Sequence, residues 1–385
     1  MRIQNQGLYL VRTWWYPRTT NTLANNIEAA RNTLFGLLGQ TMSYKCKLSP
    51  EVQLNIWSVY IKPALRSGLA SLPVRPPAVK TLASFHHKIL CGILKLSSHS
   101  PILPLHFLLG EPPIEAALHL DIMGLFWNTW ANPQTKIHDI VKYIIMMSDS
   151  SSLTWSAHLR TLFIMYNLPD PLALLQGPLW PKQRWKDHTR AAVTSYHERQ
   201  LREKARTNHK LEFLNVQTLG LSGKPHPTLT WIITTQDVVK ARIHTKMLAG
   251  DYMCYDTLSK DRGSDPQCRL CLADCTPHPA PAETMTHLVA VCRATENTRT
   301  RILPDLLNIL VKYFPTNNLL REINHSTLTQ FILDPTSLNL PNGYRIQPGA
   351  NNLNDVMAIC SNLCFAIHKD RLRQLDHLGL TKRKF

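Results

Sequence analysis

One short stretch, CRLCLADCTPHPAPAETMTHLVAVC, holds four cysteines and two histidines, and three of the cysteines and one histidine are spaced as Cys268-x2-Cys271-x15-His287-x4-Cys292. Zinc takes four such ligands in a tetrahedron, and a Cys-x2-Cys turn aims two thiolates at one point. ETMTHLVAVC predicts a short helix that brings His287 and Cys292 towards one side. Pro277, Pro279 and Pro281 forbid a helix between the two halves and leave a stiff crossover. So short a segment buries no core of its own. A bound ion would supply its folding free energy, on the order of 10 kcal/mol in small zinc modules. Four protein ligands leave no open position for water, so the expected Zn2+ is structural and not catalytic. Cys275 and His278 stand in the crossover as alternative ligands.

The elements that must carry this segment are helical. In SPEVQLNIWSVYIKPAL, Ser49 is placed to cap a helix, Pro50 takes its first position, and Glu51 sits at its positive end. Val52, Ile56 and Tyr60 recur there as an apolar face, and Pro63 is expected to kink or end the helix. PPAVKTLASFHHKILCGILKL sets Val79, Leu82, Phe85, Ile89 and Ile93 on one stripe at steps of three and four. Further helices are expected in PPIEAALHLDIMGLFWNTW, KIHDIVKYIIMM, LTWSAHLRTLFIMYNL, a long polar run from Trp185 to Asn208, TTQDVVKARIHTKMLAG, LPDLLNILVKYF and residues 354–375. GLSGKPHPTLTW reads as a turn-rich linker. With few alternating runs and no internal repeat, the fold class is mainly α. Four stretches are delimited: a basic helical region over 1–135, a helical connector over 136–245, the zinc module over 246–300 and a helical tail over 301–385.

Charge points to the partner. The net charge is +17 over 385 residues, and it is uneven. Between Met1 and Lys95, 12 Lys or Arg face only Glu28 and Glu51; between Pro181 and Lys210, nine face Asp187, Glu198 and Glu203. Such a field favours a polyanion, nucleic acid above all. The residues expected to meet phosphates are Arg12, Arg18, Arg31, Lys62, Arg66, Lys80 and Lys88 in the first block, and Arg184, Arg190, Arg199, Arg202 and Arg206 in the second. Arg299 and Arg301 follow the zinc segment and extend the set.

Other features read more plainly. Trp14, Trp15 and Tyr16, between Arg12 and Arg18, are expected to anchor a small core sooner than to stack bases. His86 and His87 are expected to add charge below neutral pH. Cys360, Cys364 and His368 share one helix face with Val356, Ile359, Leu363 and Ile367, the pattern of a buried stripe. No run approaches the ~18 apolar residues of a membrane span, and the N-terminus has no signal-peptide pattern. Nine scattered cysteines fit a reducing compartment, so an intracellular location, nuclear or cytoplasmic, is expected.

The order of several stretches resembles the C-terminal part of a non-LTR (LINE-type) retrotransposon reverse transcriptase polyprotein, downstream of its polymerase active site. NNIEAARNTLFGLLG is similar to the helix after the palm in that family. IWSVYIKPALRSG resembles a family run through Trp57, Tyr60, Pro63, Leu65 and Gly68, with Ser67 where an aromatic is usual. The following segment, with Leu108, Leu109, Gly110, Glu115 and His119, is similar too, as are LTQFILDP and CFAIHKDR near the end. Family zinc-knuckle positions map onto Cys268, Cys271, His287 and Cys292. The resemblance implies a thumb-like helical region, a connector and a zinc-stabilised module that holds template RNA or target DNA, next to an upstream polymerase region supplied separately.

The chemistry of the parent family is not expected here. Nucleotidyl transfer needs paired carboxylates on two metal ions, and the chain has no Asp-Asp pair and no Gly-x-x-x-x-Gly-Lys loop. A nuclease would have only Asp305 and Glu322 to draw on, with no Glu-x-Lys to complete it. The expectation is a non-catalytic nucleic-acid-binding fragment. The alternatives are a helical protein-interaction scaffold from a degenerate retroelement, or a residual nuclease or polymerase.

Overall fold

The computed structural model describes residues 22–37, 48–72, 76–98, 100–148, 154–208, 211–217, 219–232, 235–256, 263, 265–273, 280–313, 324–337 and 351–380. Arg12, Arg18, Trp14, Trp15, Tyr16, Cys275, His278 and Glu322 lie outside them. The fold is mainly α, and among the described residues the only β pairing is an isolated antiparallel bridge, Gln267 to Ala282.

The first helices are α1 (22–37), α2 (Pro50–Ile56), α3 (Lys62–Arg66) and α4 (Pro76–Leu94). Next come α5 (Ile102–Leu109), α6 (Ile114–Trp130), α7 (Lys136–Met147), α8 (Trp155–Met165), α9 (Pro171–Gln176) and α10 (Lys182–Arg206). The last are α11 (Pro227–Thr230), α12 (Thr235–Leu248), α13 (Arg269–Ala273), α14 (Glu296–Tyr313), α15 (His325–Leu333) and α16 (Asn351–His377).

Two helices act as hubs. α6 packs on α4, α7, α8 and α10, and is buried nearly all round, from Ile114 to Trp130. α16 packs on α11, α12, α13, α14 and α15, and α11 also reaches α2. One apolar core takes side chains from Leu23 to Ile367, drawing on all four stretches delimited from the sequence. Cys360 and Cys364 lie in it as part of the expected stripe, while His368 meets the Tyr252 hydroxyl at 2.9 Å.

Ser49 caps α2 as expected, its hydroxyl accepting from the Val52 N–H at 3.3 Å. The buried face is different from the expected one: Gln53, Leu54, Trp57, Ile61 and Leu65 are inside, whereas Val52 and Tyr60 are exposed. Nor does Pro63 end the helix. A π turn over Trp57–Ile61, closed by the Lys62 N–H on the Trp57 carbonyl, joins α2 to α3. A widened turn next to proline absorbs the missing N–H and the ring, and it rotates the buried face.

The expected linker is docked rather than free. The Gly223 N–H reaches the Gly110 carbonyl at 2.8 Å, and the His226 N–H reaches that of Leu108 at 2.7 Å. Gly110 ends α5 with φ +62°, and a Cβ there would stand 2.3 Å from the Lys224 carbonyl oxygen. Only glycine combines that backbone angle with that approach.

α10 is highly polar, yet it buries Trp185, Thr189, Val193, His197, Leu201 and Ala205, one residue in every four. Trp185 packs against Phe126, Phe163 and Trp130 and donates its indole N–H to the Met123 carbonyl at 3.0 Å. Deeper along α10, the Tyr166 hydroxyl lies between His119 Nδ1 at 2.6 Å and His197 Nε2 at 3.0 Å.

Several imidazoles are buried. Burial drives His119 down to about 3 and His106, His197, His244 and His368 down to about 4. His86 is also held well below its ordinary value by burial, stacked on Trp57 with ring centroids 5.1 Å apart. It therefore adds no charge to the basic surface, contrary to expectation. These groups are neutral when folded and take up protons near pH 6.5 when unfolded, so the unfolded chain binds more protons below that pH. Stability is expected to be full above about pH 6.5 and to fall progressively towards pH 4. Urea midpoints that stay level across this range would show that the imidazoles are already charged in the folded chain.

Candidate metal centre

The two halves of the cysteine segment meet through backbone pairing. The Cys268 N–H donates to the Pro281 carbonyl at 2.8 Å and the Glu283 N–H to that of Pro266 at 2.8 Å, around the Gln267–Ala282 bridge. This brings the chain on either side of the proline crossover together. Cys268 then opens α13, which carries Cys271, and the Leu272 N–H bonds back to the Cys268 carbonyl.

The second pair comes from a π turn, His287–Val291, where an α-turn was expected. On an α-helix, five residues advance about 500°, which leaves the two side chains roughly 140° apart. The Cys292 N–H instead bonds to the His287 carbonyl, five residues back, at 2.6 Å, and this wider turn places His287 and Cys292 on one side.

Together these elements gather Cys268, Cys271, His287 and Cys292, all buried, with their ligand atoms within 4.8 Å of one another. Cys268 Sγ lies 3.9 Å from Cys292 Sγ, and Cys271 Sγ lies 3.6 Å from Cys292 Sγ and 3.4 Å from His287 Nε2. A tetrahedral ion with metal–sulfur bonds of ~2.3 Å requires sulfur–sulfur edges of ~3.8 Å, so the group could hold one metal ion. Disulfides, at ~2.05 Å, are far shorter, and the seven described cysteines are all free. Cys268 is pushed down to about 4, chiefly by a hydrogen bond from Cys292, and Cys292 is pushed up by the same bond.

The surroundings favour negative charge at the centre. Arg299 is buried on α14 and donates to Thr295 Oγ1 at 2.6 Å, while Thr295 Oγ1 donates to the Cys292 carbonyl at 3.1 Å. The guanidinium interacts electrostatically with Cys292 and Cys271, and it would offset the excess charge that three thiolates leave with a divalent ion in place. On the other side, Arg371 of α16 donates to Glu283 Oε1 at 2.7 Å and to the Met253 carbonyl at 3.0 Å, and it lies over the Tyr252 and Tyr255 rings. Burial raises Glu283 to about 7, against the pull of Arg371. Gln374 reaches the Ala294 carbonyl at 2.7 Å, and Leu375 joins the small core around the cysteines. The centre thus fastens the crossover segment to the end of α16.

The expected phosphate-binding residues divide. Arg31, Lys80, Lys88, Arg184, Arg190, Arg199, Arg206 and Arg301 are exposed. Arg299 is buried beside the cysteines and is not offered to a phosphate, because the loop carrying Cys292 needs it. Lys62 is spent on buried Glu111 at 2.6 Å, where the Trp57 indole also donates. Arg66 pairs with Asp121 at 2.5 Å, Arg202 with Glu198 at 3.3 Å and Arg206 with Glu203 at 2.9 Å. Asp305 is exposed on α14. Lys182 and Lys186, absent from the expected set, stand in line with Arg190 at spacings of four, a signal the sequence did carry.

No family model, curated protein or solved structure matches the chain.

One bound divalent metal per chain is expected by elemental analysis. Cys292→Ser should lose it and lower the thermal midpoint, whereas Cys91→Ser, far from the centre, should keep it. Arg299→Met should weaken metal binding about 10- to 100-fold in a competition titration with a chelator; unchanged affinity would remove Arg299 from the support of the centre.

Proposed function

We propose that this chain is a non-catalytic nucleic-acid-binding unit, corresponding to the region after the palm in a LINE-type reverse transcriptase polyprotein. Its basic helices take the phosphates of template RNA or target DNA. Cys268, Cys271, His287 and Cys292 hold a structural Zn2+ that fixes the C-terminal helices. Thiolate-rich tetrahedral sets suit zinc, and four protein ligands leave it nothing to activate.

The observation that carries this reading is α10. Arg184, Arg190 and Arg199 are exposed along it together with Lys182, Lys186 and Lys204, and among the described residues none of the six has an ion-pair partner. Cations not engaged in an ion pair keep more of their field for a polyanion. No catalytic role is assigned, since paired carboxylates for metal-assisted transfer are missing from the sequence. No described helix is long and apolar enough to cross a membrane.

A second reading has its own support. α7 exposes Ile137, Ile140, Tyr143, Ile144 and Met147, an apolar face suited to a protein partner. The two readings separate by salt. Nucleic-acid affinity governed by phosphate contacts should fall linearly in log–log form, with a slope near −0.7 to −0.9 per contact. An affinity level between low and physiological salt would favour the scaffold.

A further inference from the structure

α3, α6 and α10 enclose a groove of about 660 Å³. Lys182, Lys186 and Arg190 line it from α10 at successive turns, Lys62 and Arg66 line it from α3, and Gly124 of α6 forms part of its floor. Five cations thus face one carboxylate, Asp121, which Arg66 already holds. Lys62 is likewise turned to Glu111. The free charge is therefore the α10 row, which covers about 12 Å of helix. Gly124 is exposed and a Cβ there would meet nothing within 4 Å, so the floor is open above it.

Just outside the groove lining, Lys182 lies over the Trp127 ring at 5.2 Å, and Arg184 lies over Trp180 at 4.4 Å. The Trp127 indole donates to the Trp180 backbone carbonyl at 3.1 Å, which ties α6 to the chain just before α10. Both indoles are half-buried, leaving part of each at the surface beside the cations.

We propose that this groove takes a single strand of nucleic acid by its backbone, with bases resting on the indole end. The inference rests on the nucleic-acid reading above and adds to it a place and a strandedness. Cationic tracks beside aromatic rings are how strands are held without sequence preference. The volume lies in the range of clefts that fit small ligands, so a stiff duplex meets only the rim. A flexible strand can descend between α3 and α10 and bring its phosphates to Lys182, Lys186 and Arg190. RNA and DNA share this chemistry.

The test is a fluorescence titration of the full chain with an oligouridine, an oligothymidine and a duplex of equal length, each across a salt series. Single strands should bind more tightly than the duplex, and the two single-stranded probes decide between RNA and DNA as the better occupant. The combined variant Lys182→Gln, Lys186→Gln, Arg190→Gln should lose roughly tenfold in affinity and make the single-strand salt slope shallower by about 2. Gly124→Leu fills the floor, raises helix propensity and leaves charge unchanged; it should weaken strand binding several-fold. Lys136→Gln with Lys369→Gln, exposed on α7 and α16 and outside the groove lining, serves as the control. A duplex bound as tightly as a strand overturns the groove proposal while the nucleic-acid reading stands. So does full affinity in Gly124→Leu, or in the triple variant. If the unaltered chain binds none of the three probes, the nucleic-acid reading falls as well.

Discussion

Three sulfurs and an imidazole nitrogen held within 4.8 Å of one another, and shielded from water, are the constraint on which the C-terminal half depends. Such a group has little reason to stay closed if its thiols only share protons, since burying thiolates side by side is unfavourable. The protein answers with Arg299 on one side, from the helix that follows Cys292, and the Arg371–Glu283 pair on the other, where Arg371 comes from α16, far along the sequence. The small core here is made of cysteines, an alanine and two leucines. That is too little apolar surface to fold alone. Coordination would therefore determine where α13, α14 and the end of α16 come together.

The N-terminal half rests on ordinary burial around α6, supplemented by polar groups that have no access to water. Glu111 is an example: it accepts from Trp57 and Lys62, residues 54 and 49 positions earlier. Removing any one member would leave the others unsatisfied, which costs more than the bond itself contributes. The Tyr166 hydroxyl between His119 and His197 has the same character. Both networks hold the helices that border the α3–α6–α10 groove, so the walls of that groove are fixed by buried polar contacts as well as by packing.

Much of this was legible in the sequence. The clustering of Cys268, Cys271, His287 and Cys292, the α class, the Ser49 cap and the extent of α10 follow from spacing, capping chemistry and composition, which are local properties. What was not legible is long-range. Whether Lys62 or Arg299 faces solvent depends on Glu111 and on the Cys292 loop, and no window around a lysine reveals a carboxylate 49 residues away. The two π turns also escaped, because a single widened turn leaves the composition of a segment unchanged and shifts only its phase. At Trp57–Ile61 that shift put Ile61 inside in place of Tyr60, while upstream of the turn Gln53 and Leu54 are buried in place of Val52. The segment around Gly223 looked like a connector because its residues favour turns. Its docking on α5 depends on the absent side chain of Gly110.

α10 buries one residue in four, while the helix repeats every ~3.6. Its contact line therefore creeps about 40° per step and winds roughly 200° around the axis between Trp185 and Ala205. Neighbours grip the rod from one side at its start and nearly the opposite side at its end, like a screw held by two nuts. A single codon gained or lost midway would turn one half by ~100° against the other. Length in this helix is consequently under tighter constraint than most of its surface chemistry.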